Sequence, residues 1–430
     1  MRAGGPAGRT RWIGGRSEPA PARPSATVRH WASPGRQLAA CAGMHVVNDG
    51  LFVALYPLLP LMAADLGLSF AEIGAIKTAY AGSAAIFQVP AGMAAERAGE
   101  HLLLALGTGW VGLGLVAMAL AAGFWPLLVL GLAAGLGGNV QHPVATSVVS
   151  RLFDRSRRST AIGTLNFAGD VGKVLAPLLV GTVAVAYGWR GSLLALGALG
   201  AAFALLYLLV LPPPPRPEPS GAAPVAGATG GSAGEAAAAR GWGISHPGAF
   251  ALLSGIGVLD SAARGASLTF IPFLLAAKGF DAAAQSAHLT VLFAAGAAGK
   301  FVCGPLGDRV GNVAAIVLTE LVTAGGLLAL LGAPAGLVLL ALLPLGFVLN
   351  GTSSVLYATV AELVHASKRA RGYGLYYTCS QLAAALAPIA YGMVADRAGL
   401  SAAFIAMAAV TGLIVPLALA TGRASKAGRA

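Results

Sequence analysis

RSTAIGTLNFAGDVGKVLAPLLVGTVAVAYG at residues 158–188 and RARGYGLYYTCSQLAAALAPIAYGMVADRAG at 369–399 are two copies of one unit, offset by 211 residues. Arg158, Gly163, the pair Ala176-Pro177, Gly181 and Gly188 return as Arg369, Gly374, Ala387-Pro388, Gly392 and Gly399. Upstream the same offset pairs Asn139 with Asn350 and Asp49 with Asp260. With a one-residue slip, Gly92, Glu96, Arg97 and Gly99 pair with Gly304, Asp308, Arg309 and Gly311. Single matches arise by chance among 60 glycines, but a nearly constant offset across four separate stretches does not. A duplicated, parallel, hydrophobic unit is how many membrane carriers are built.

The composition agrees. Hydrophobic residues make up 57% of the chain and charged residues 10%, against about 25% charged for soluble domains. Apolar runs near the ~20 residues that cross a bilayer fall at about 38–62, 73–94, 101–122, 125–149, 159–183 and 190–211. A second set falls at about 249–277, 285–306, 312–331, 334–362, 372–394 and 400–420. The expected fold is all-α and membrane-spanning, with twelve helices in two parallel six-helix repeats around a central cavity. The domains expected are a disordered basic tail at 1–37, six-helix bundles at 38–211 and 247–421, a flexible linker at 212–246, and a short tail at 422–430. The linker reading rests on PPPPRPEPSGAAPVAGATGGSAGEAAAARG, which has too little apolar content to bury a core.

The net charge of +12 encodes orientation. Of the 28 Lys and Arg, 21 lie in the tails, the linker and the connections of one side, and Arg190, Lys278 and Arg397 on the other. The positive-inside bias therefore puts both termini and the linker in the cytoplasm of an inner-membrane protein. A nucleic-acid partner is not expected, and an attraction to anionic lipid is the side effect. The Arg-rich first 36 residues hold no continuous apolar stretch, so they do not read as a cleavable signal peptide. Cys41, Cys303 and Cys379 lack metal-ligand spacing. No phosphate-cradling GxxxxGK[ST] is present, so no cofactor is expected and a gradient must supply the energy. With no nucleophile–base pair in evidence, the chain does not read as an enzyme.

Ionisable residues inside a membrane are functional candidates, because each costs at least ~2.5 kcal/mol at the bilayer centre. In the first helix His45, Asn48, Asp49, Phe52 and Tyr56 share one face. In the fourth, Asn139, His142 and Thr146 align beside Gln141 and Pro143. Asp260 and Arg264 lie one turn apart in the seventh, and NGTSSVLY places Asn350, Thr352, Ser353 and Tyr357 in the tenth. These four helices occupy equivalent places in the repeats, so their stripes are expected to line one cavity. Asp49 is the leading proton-coupling candidate, with His45, His142 and Asp260 beside it; the histidines are equally readable as packing residues. Asn166, Asp170 and Lys173 share a face of the fifth helix, where Asp170 and Lys173 can form either a structural ion pair or a substrate contact. Glu320 stands mid-span in the ninth without a helical-spaced cation. Lys77 and Lys300 are expected to snorkel to the interface.

GMAAERAG (92–99) and GPLGDRVG (304–311) combine small residues, an acid next to Arg, and a closing Gly. Glu96 with Arg97, and Asp308 with Arg309, can bridge helices at a gate on the cytoplasmic side. In these motifs the chain resembles the major facilitator superfamily, whose signature G-x-x-x-D-R-x-G is complete in the second copy and carries Glu96 in the first. Gly163, Gly172 and Ala176-Pro177 further resemble the antiporter signature of drug exporters. HVVNDGLFVALYPLLP (45–60) and GLGGNVQHP (135–143) resemble the fosmidomycin-resistance type of exporter, although Val144 stands where those typically carry an acid. The resemblance implies proton-coupled efflux of a small organic or drug-like molecule by alternating access, by a monomer. The alternatives are proton-coupled uptake of an organic anion clamped by Arg264 and Lys173, and a transporter-shaped sensor or scaffold.

Overall fold

The computed structural model describes residues 33–211, 243–365 and 369–427. Residues 1–32 of the tail expected at 1–37, and 212–242 of the linker expected at 212–246, lie outside the described residues. Fourteen α-helices are present among them. In the first half these are α1 (Pro34–Val53), α2 (Leu55–Leu66), α3 (Phe70–Ala98), α4 (Glu100–Ala119), α5 (Phe124–Gly135), α6 (Gln141–Leu152) and α7 (Arg155–Val210). In the second they are α8 (Pro247–Ala277), α9 (Ala282–Val310), α10 (Asn312–Gly332), α11 (Val338–Leu363), α12 (Arg369–Ala398), α13 (Leu400–Gly412) and α14 (Ile414–Ala427).

Nine stretches of the described residues, two of them joining consecutive α-helices, are long and apolar enough to cross a membrane, and twelve crossings are nevertheless built. Ser156–Val210 is 55 residues, about 80 Å at 1.5 Å per residue, more than twice the ~30 Å hydrocarbon layer. It turns back on itself at Gly188, where φ is 64°. The crossing of α3 is diluted by Glu72, Lys77, Glu96 and Arg97. The fourth crossing is broken by a 3-10 turn at Gly138–Val140 into α5 and α6. Local chemistry explains the boundaries. Ser69 and Glu72 form a capping box on α3, Asp281 caps α9, and Pro34 presets the start of α1, four residues before the first expected helical residue. The sharp turns fall at repeat-equivalent glycines: Gly99 and Gly311 have φ of 93° and 88°, and Gly188 and Gly399 of 64° and 86°, a region where a Cβ is strained.

The two ends of the molecule are packed differently. At one end a single hydrophobic core draws on both halves, joining Leu55, Leu58 and Leu59 of α2 to Phe270, Leu289, Tyr391 and Phe404. At the end where α1 begins there are two separate cores. One is built from Cys41, Leu104, Val148 and Leu165, the other from Phe250, Ile316, Leu356 and Tyr376. We refer to these as the closed and open ends.

The repeated stretches, 158–188 and 369–399, run from one of these ends to the other. On α7, Gly181 abuts Ser286 and Ala283 of the other half, whereas Gly163 has no neighbour within 4 Å of a Cβ position. On α12, Gly392 abuts Phe70 and Ala71, whereas Gly374 faces open space. Each copy is thus gripped at the closed end and free at the open end. Along α3, Gly74 meets the Pro388 carbonyl and Thr78 Oγ1 donates to the Ala385 carbonyl at 2.5 Å. Two turns on, Ile86 is 72% exposed. At the closed tip the Asp396 carboxylate accepts from the backbone amides of Phe70 (2.8 Å) and Ala71 (2.9 Å), so one half caps a helix of the other.

Candidate functional site

Backbone contact sets the site. Gly172 of α7 lies against the Val46 carbonyl of α1 with no room for a Cβ, and a Cβ at Gly169 would lie 2.6 Å from Asp49 Oδ2. Close approach of this kind is what small residues permit, and it brings the polar face of α1 onto that of α7. His45 and Asp49 of α1 are buried.

An alternating chain of charges results. Asp49 Oδ2 is 3.0 Å from Lys173 Nζ and 3.6 Å from His45 Nε2, and Asp49 Oδ1 is 3.8 Å from His142 Nε2. Lys173 Nζ also donates to Asp170 Oδ1 at 3.2 Å. The Asp170 carboxylate is then gripped by Lys300 Nζ, at 2.6 Å to Oδ1 and 2.8 Å to Oδ2. Lys300 belongs to α9, so this last pair ties the two halves together. Such charges tolerate burial because each has a partner of opposite sign. The snorkelling expected of Lys300 is therefore corrected: Asp170 holds its ammonium in the protein interior.

Other expected cavity residues are distributed unevenly. Tyr56 is half-buried, with its ring 6.4 Å from that of Phe293 across the halves. Asn48 Nδ2 donates to the Gly138 carbonyl at 2.8 Å, locking α1 to the break in the fourth crossing. Gln141 is corrected: it is fully buried, and its Nε2 donates to Leu104 O (2.9 Å) and Thr108 Oγ1 (2.7 Å) of α4. The 3-10 turn just before it shifts the helical register and turns it from the cavity. Asn166 is exposed toward the open end, and Asn350 packs on Gly296. The side chains of Asn139, Gly92 and Glu96 lie outside the described residues.

In the second half Asp260 Oδ2 is 3.8 Å from an Arg264 nitrogen, and Arg264 Nη2 donates to Ser261 Oγ at 3.2 Å. Glu320 of α10 neighbours Asp260, a proximity that the ninth helix's spacing did not reveal. Two carboxyl groups side by side in a buried site favour sharing one proton. Tyr357, Tyr376 and Tyr377 form an aromatic wall with ring centroids 4.8–6.3 Å apart.

The gate motifs sit at the open end. Gly99 and Gly311 make their turns, while Arg97, Asp308 and Arg309 are exposed and form no ion pair among the described residues. Cross-helix side-chain links near these turns come instead from residues the sequence reading passed over. Arg151 binds Glu100 through both guanidinium nitrogens, and Asn312 Nδ2 donates to Glu362 Oε1 at 2.8 Å. The signal was available: Arg151 and Glu362 are 211 residues apart, Glu100 and Asn312 are 212 apart, so one cross-helix link occurs in both repeats with altered charge.

His45, Asp49 and His142 present one ligand atom each within 4.8 Å of one another, a donor set that suits a divalent ion. Lys173 Nζ, 3.0 Å from Asp49, places a positive charge where such an ion would sit, so the cluster fits an internal ion pair better. A groove between α10 and α11, lined by Gly325, Gly326, Ala329 and Leu340, is almost wholly apolar and remote from this network.

The family model described as Major Facilitator Superfamily matches residues 41–258 and 253–429. The probable L-galactonate transporter of Escherichia coli K12 is 28% identical over 141 residues, covering 33% of this chain and 31% of that protein. The fosmidomycin resistance protein of the same organism is 28% identical over 151 residues, covering 35% and 37%. These matches span about a third of each relative's length. A bacterial homologue of the human lysosomal transporter Spinster, in an inward-facing and unoccupied conformation, superimposes with a TM-score of 0.78 at 18% identity, over 92% of this chain and 98% of that one.

Proposed function

Since the chain belongs to the major facilitator superfamily, we propose that it is a proton-coupled secondary carrier of a small organic anion. Two six-helix bundles, 38–211 and 247–421, rock about the polar centre of a monomer. The open end faces the cytoplasm of the inner membrane, as the bias of Lys and Arg directs.

The charge inventory of the centre supports this reading most. The centre holds Lys77, Lys173, Arg264 and Lys300 together with Asp49, Asp170, Asp260 and Glu320. With one proton held between Asp260 and Glu320, four cations oppose three negative charges, and an incoming anion restores neutrality. An anion entering the centre draws Lys173 from Asp49, and the carboxylate left alone in a low-dielectric site is neutralised by a proton. Anion and proton then bind together, which makes uptake by symport the direction the geometry favours. The L-galactonate transporter among the relatives carries a solute of this charge.

Export in exchange for protons is the second reading. The resemblance of Gly163, Gly172 and Ala176-Pro177 to an antiporter signature and the similarity to a fosmidomycin resistance protein favour it. One experiment separates the two: a pH dye inside proteoliposomes, with L-galactonate, other sugar acids and phosphonate drugs added outside. Lumenal acidification supports symport and alkalinisation supports antiport. Anion-independent behaviour across the panel removes the anion reading.

A further inference from the structure

Every cation of the polar centre but one has a carboxylate. Lys173 has two, Lys300 and Arg264 one each. Lys77 of α3 is 4% exposed, and among the described residues its Nζ has neither an ion-pair partner nor a hydrogen-bond acceptor. It rests 4.2 Å from the ring centroid of Tyr56 and 5.3 Å from that of Tyr80. Two aromatic faces return less than the water an ammonium gives up on burial. Snorkelling does not account for it either, because the side chain is directed inward, toward the residue that separates the two halves.

The surroundings identify what is missing. Tyr56 carries Lys77 on its ring face, 4.2 Å from the centroid, and faces the second half through the ring of Phe293, 6.4 Å away. Arg264 Nε is buried and has no acceptor. Two donors, one from each half, are thus left unmet in the polar centre. Lys77 is also adjacent to Thr78, whose hydroxyl bonds Ala385 across the closed end. An occupant at this position touches the floor of the open cavity and the helix that seals it.

We propose that Lys77 is a substrate-binding residue: it holds an anionic group of the solute, carboxylate, phosphonate or sulfonate, whose body lies along Tyr56 toward Arg264. This rests on the anion reading above and adds the residue and the contact geometry. A solute held by Lys77 of one half and Arg264 of the other is favoured by any conformation that brings the halves together around it, which is the coupling a carrier needs.

The test uses the full chain in detergent with Lys77→Met, which keeps the stem, and Lys77→Arg, which keeps the charge. Thermal unfolding is followed against L-galactonate, D-glucuronate, methylphosphonate, inorganic phosphate and the neutral analogue galactitol. For the organic anions that stabilise the wild type, Lys77→Met is expected to weaken binding at least ~10-fold and Lys77→Arg less than ~3-fold. Ligand-free Lys77→Met is expected to melt no lower than the wild type, since the ammonium it removes has no counterion. Unchanged anion affinity in Lys77→Met, or a ligand-free variant less stable than the wild type, overturns the assignment in favour of a packing role. Equal stabilisation by inorganic phosphate and by the organic acids overturns the solute-body contact with Tyr56. A wild type that responds to none of the anions removes the anion reading itself, a distinguishable failure.

Discussion

Lys300 Nζ lies 2.6 Å from Asp170 Oδ1 and 2.8 Å from Oδ2, and the pair joins α9 of one half to α7 of the other within the polar centre. A pair so placed responds both to the charge state of its neighbours and to the relative position of the halves. Lys300→Met and Asp170→Asn are each expected to lower the initial transport rate at least ~10-fold. The charge-reversed double variant, Asp170→Lys with Lys300→Asp, is expected to recover part of the loss. The double-mutant cycle on binding should give a coupling of about 1–3 kcal/mol. Strict additivity would show that the two residues act independently.

Asp49 receives Lys173 at 3.0 Å and has two histidines within 3.8 Å. Asp49→Asn keeps an oxygen for Lys173 but carries neither a charge nor a titratable proton. Solute counterflow is expected to survive while solute-driven proton movement falls at least ~10-fold. Intact pH-dependent accumulation in this variant would move the coupling site to the Asp260–Glu320 pair.

Gly163 and Gly172 belong to the same signature yet sit in opposite surroundings. An added Cβ at Gly172 meets the Val46 backbone, and at Gly163 it meets nothing within 4 Å. Gly172→Ala is expected to destabilise by about 1–3 kcal/mol through overpacking, read as a lower melting temperature in detergent. Gly163→Ala should leave that temperature unchanged and hinder only the closing of the open end.

Asp396 caps α3 from the other half through the amides of Phe70 and Ala71. Removing a helix cap costs about 1 kcal/mol, so Asp396→Ala should shift the equilibrium between the two facing states by about fivefold toward the state in which this end opens. Cysteine labelling at Thr78→Cys, from the closed side, measures the shift. Unchanged labelling would mean that the cap persists in both states.

Much of the fold was legible because it rests on periodicity and duplication. The offset of 211 places Gly181 and Gly392 at equivalent helix contacts, and Gly188 and Gly399 at equivalent turns. Asp49, His45 and His142 were legible because a polar residue on a long apolar face announces itself. Lys77 and Lys300 were not, since sequence shows that a lysine lies near a helix end but not whether its four-carbon stem reaches lipid headgroups or the interior. The partnership of Asp260 with Glu320 joins helices remote in sequence, so no spacing rule exposes it. Gln141 misled because a three-residue 3-10 turn altered the phase of the helix that carries it.

The reversal at Gly188 lets α7 cross twice with a single non-helical residue. The other connections at the closed end are nearly as spare, with α2 joined to α3 by residues 67–69 and α12 to α13 by Gly399. On the proposed sidedness, the described residues leave little chain beyond the outer face of the inner membrane. Proteases on that side find little unfolded chain to cleave, and a tag placed there must be inserted into a short turn. The outer face is nearly mute, and the route for solute is the one feature through which the exterior addresses the molecule.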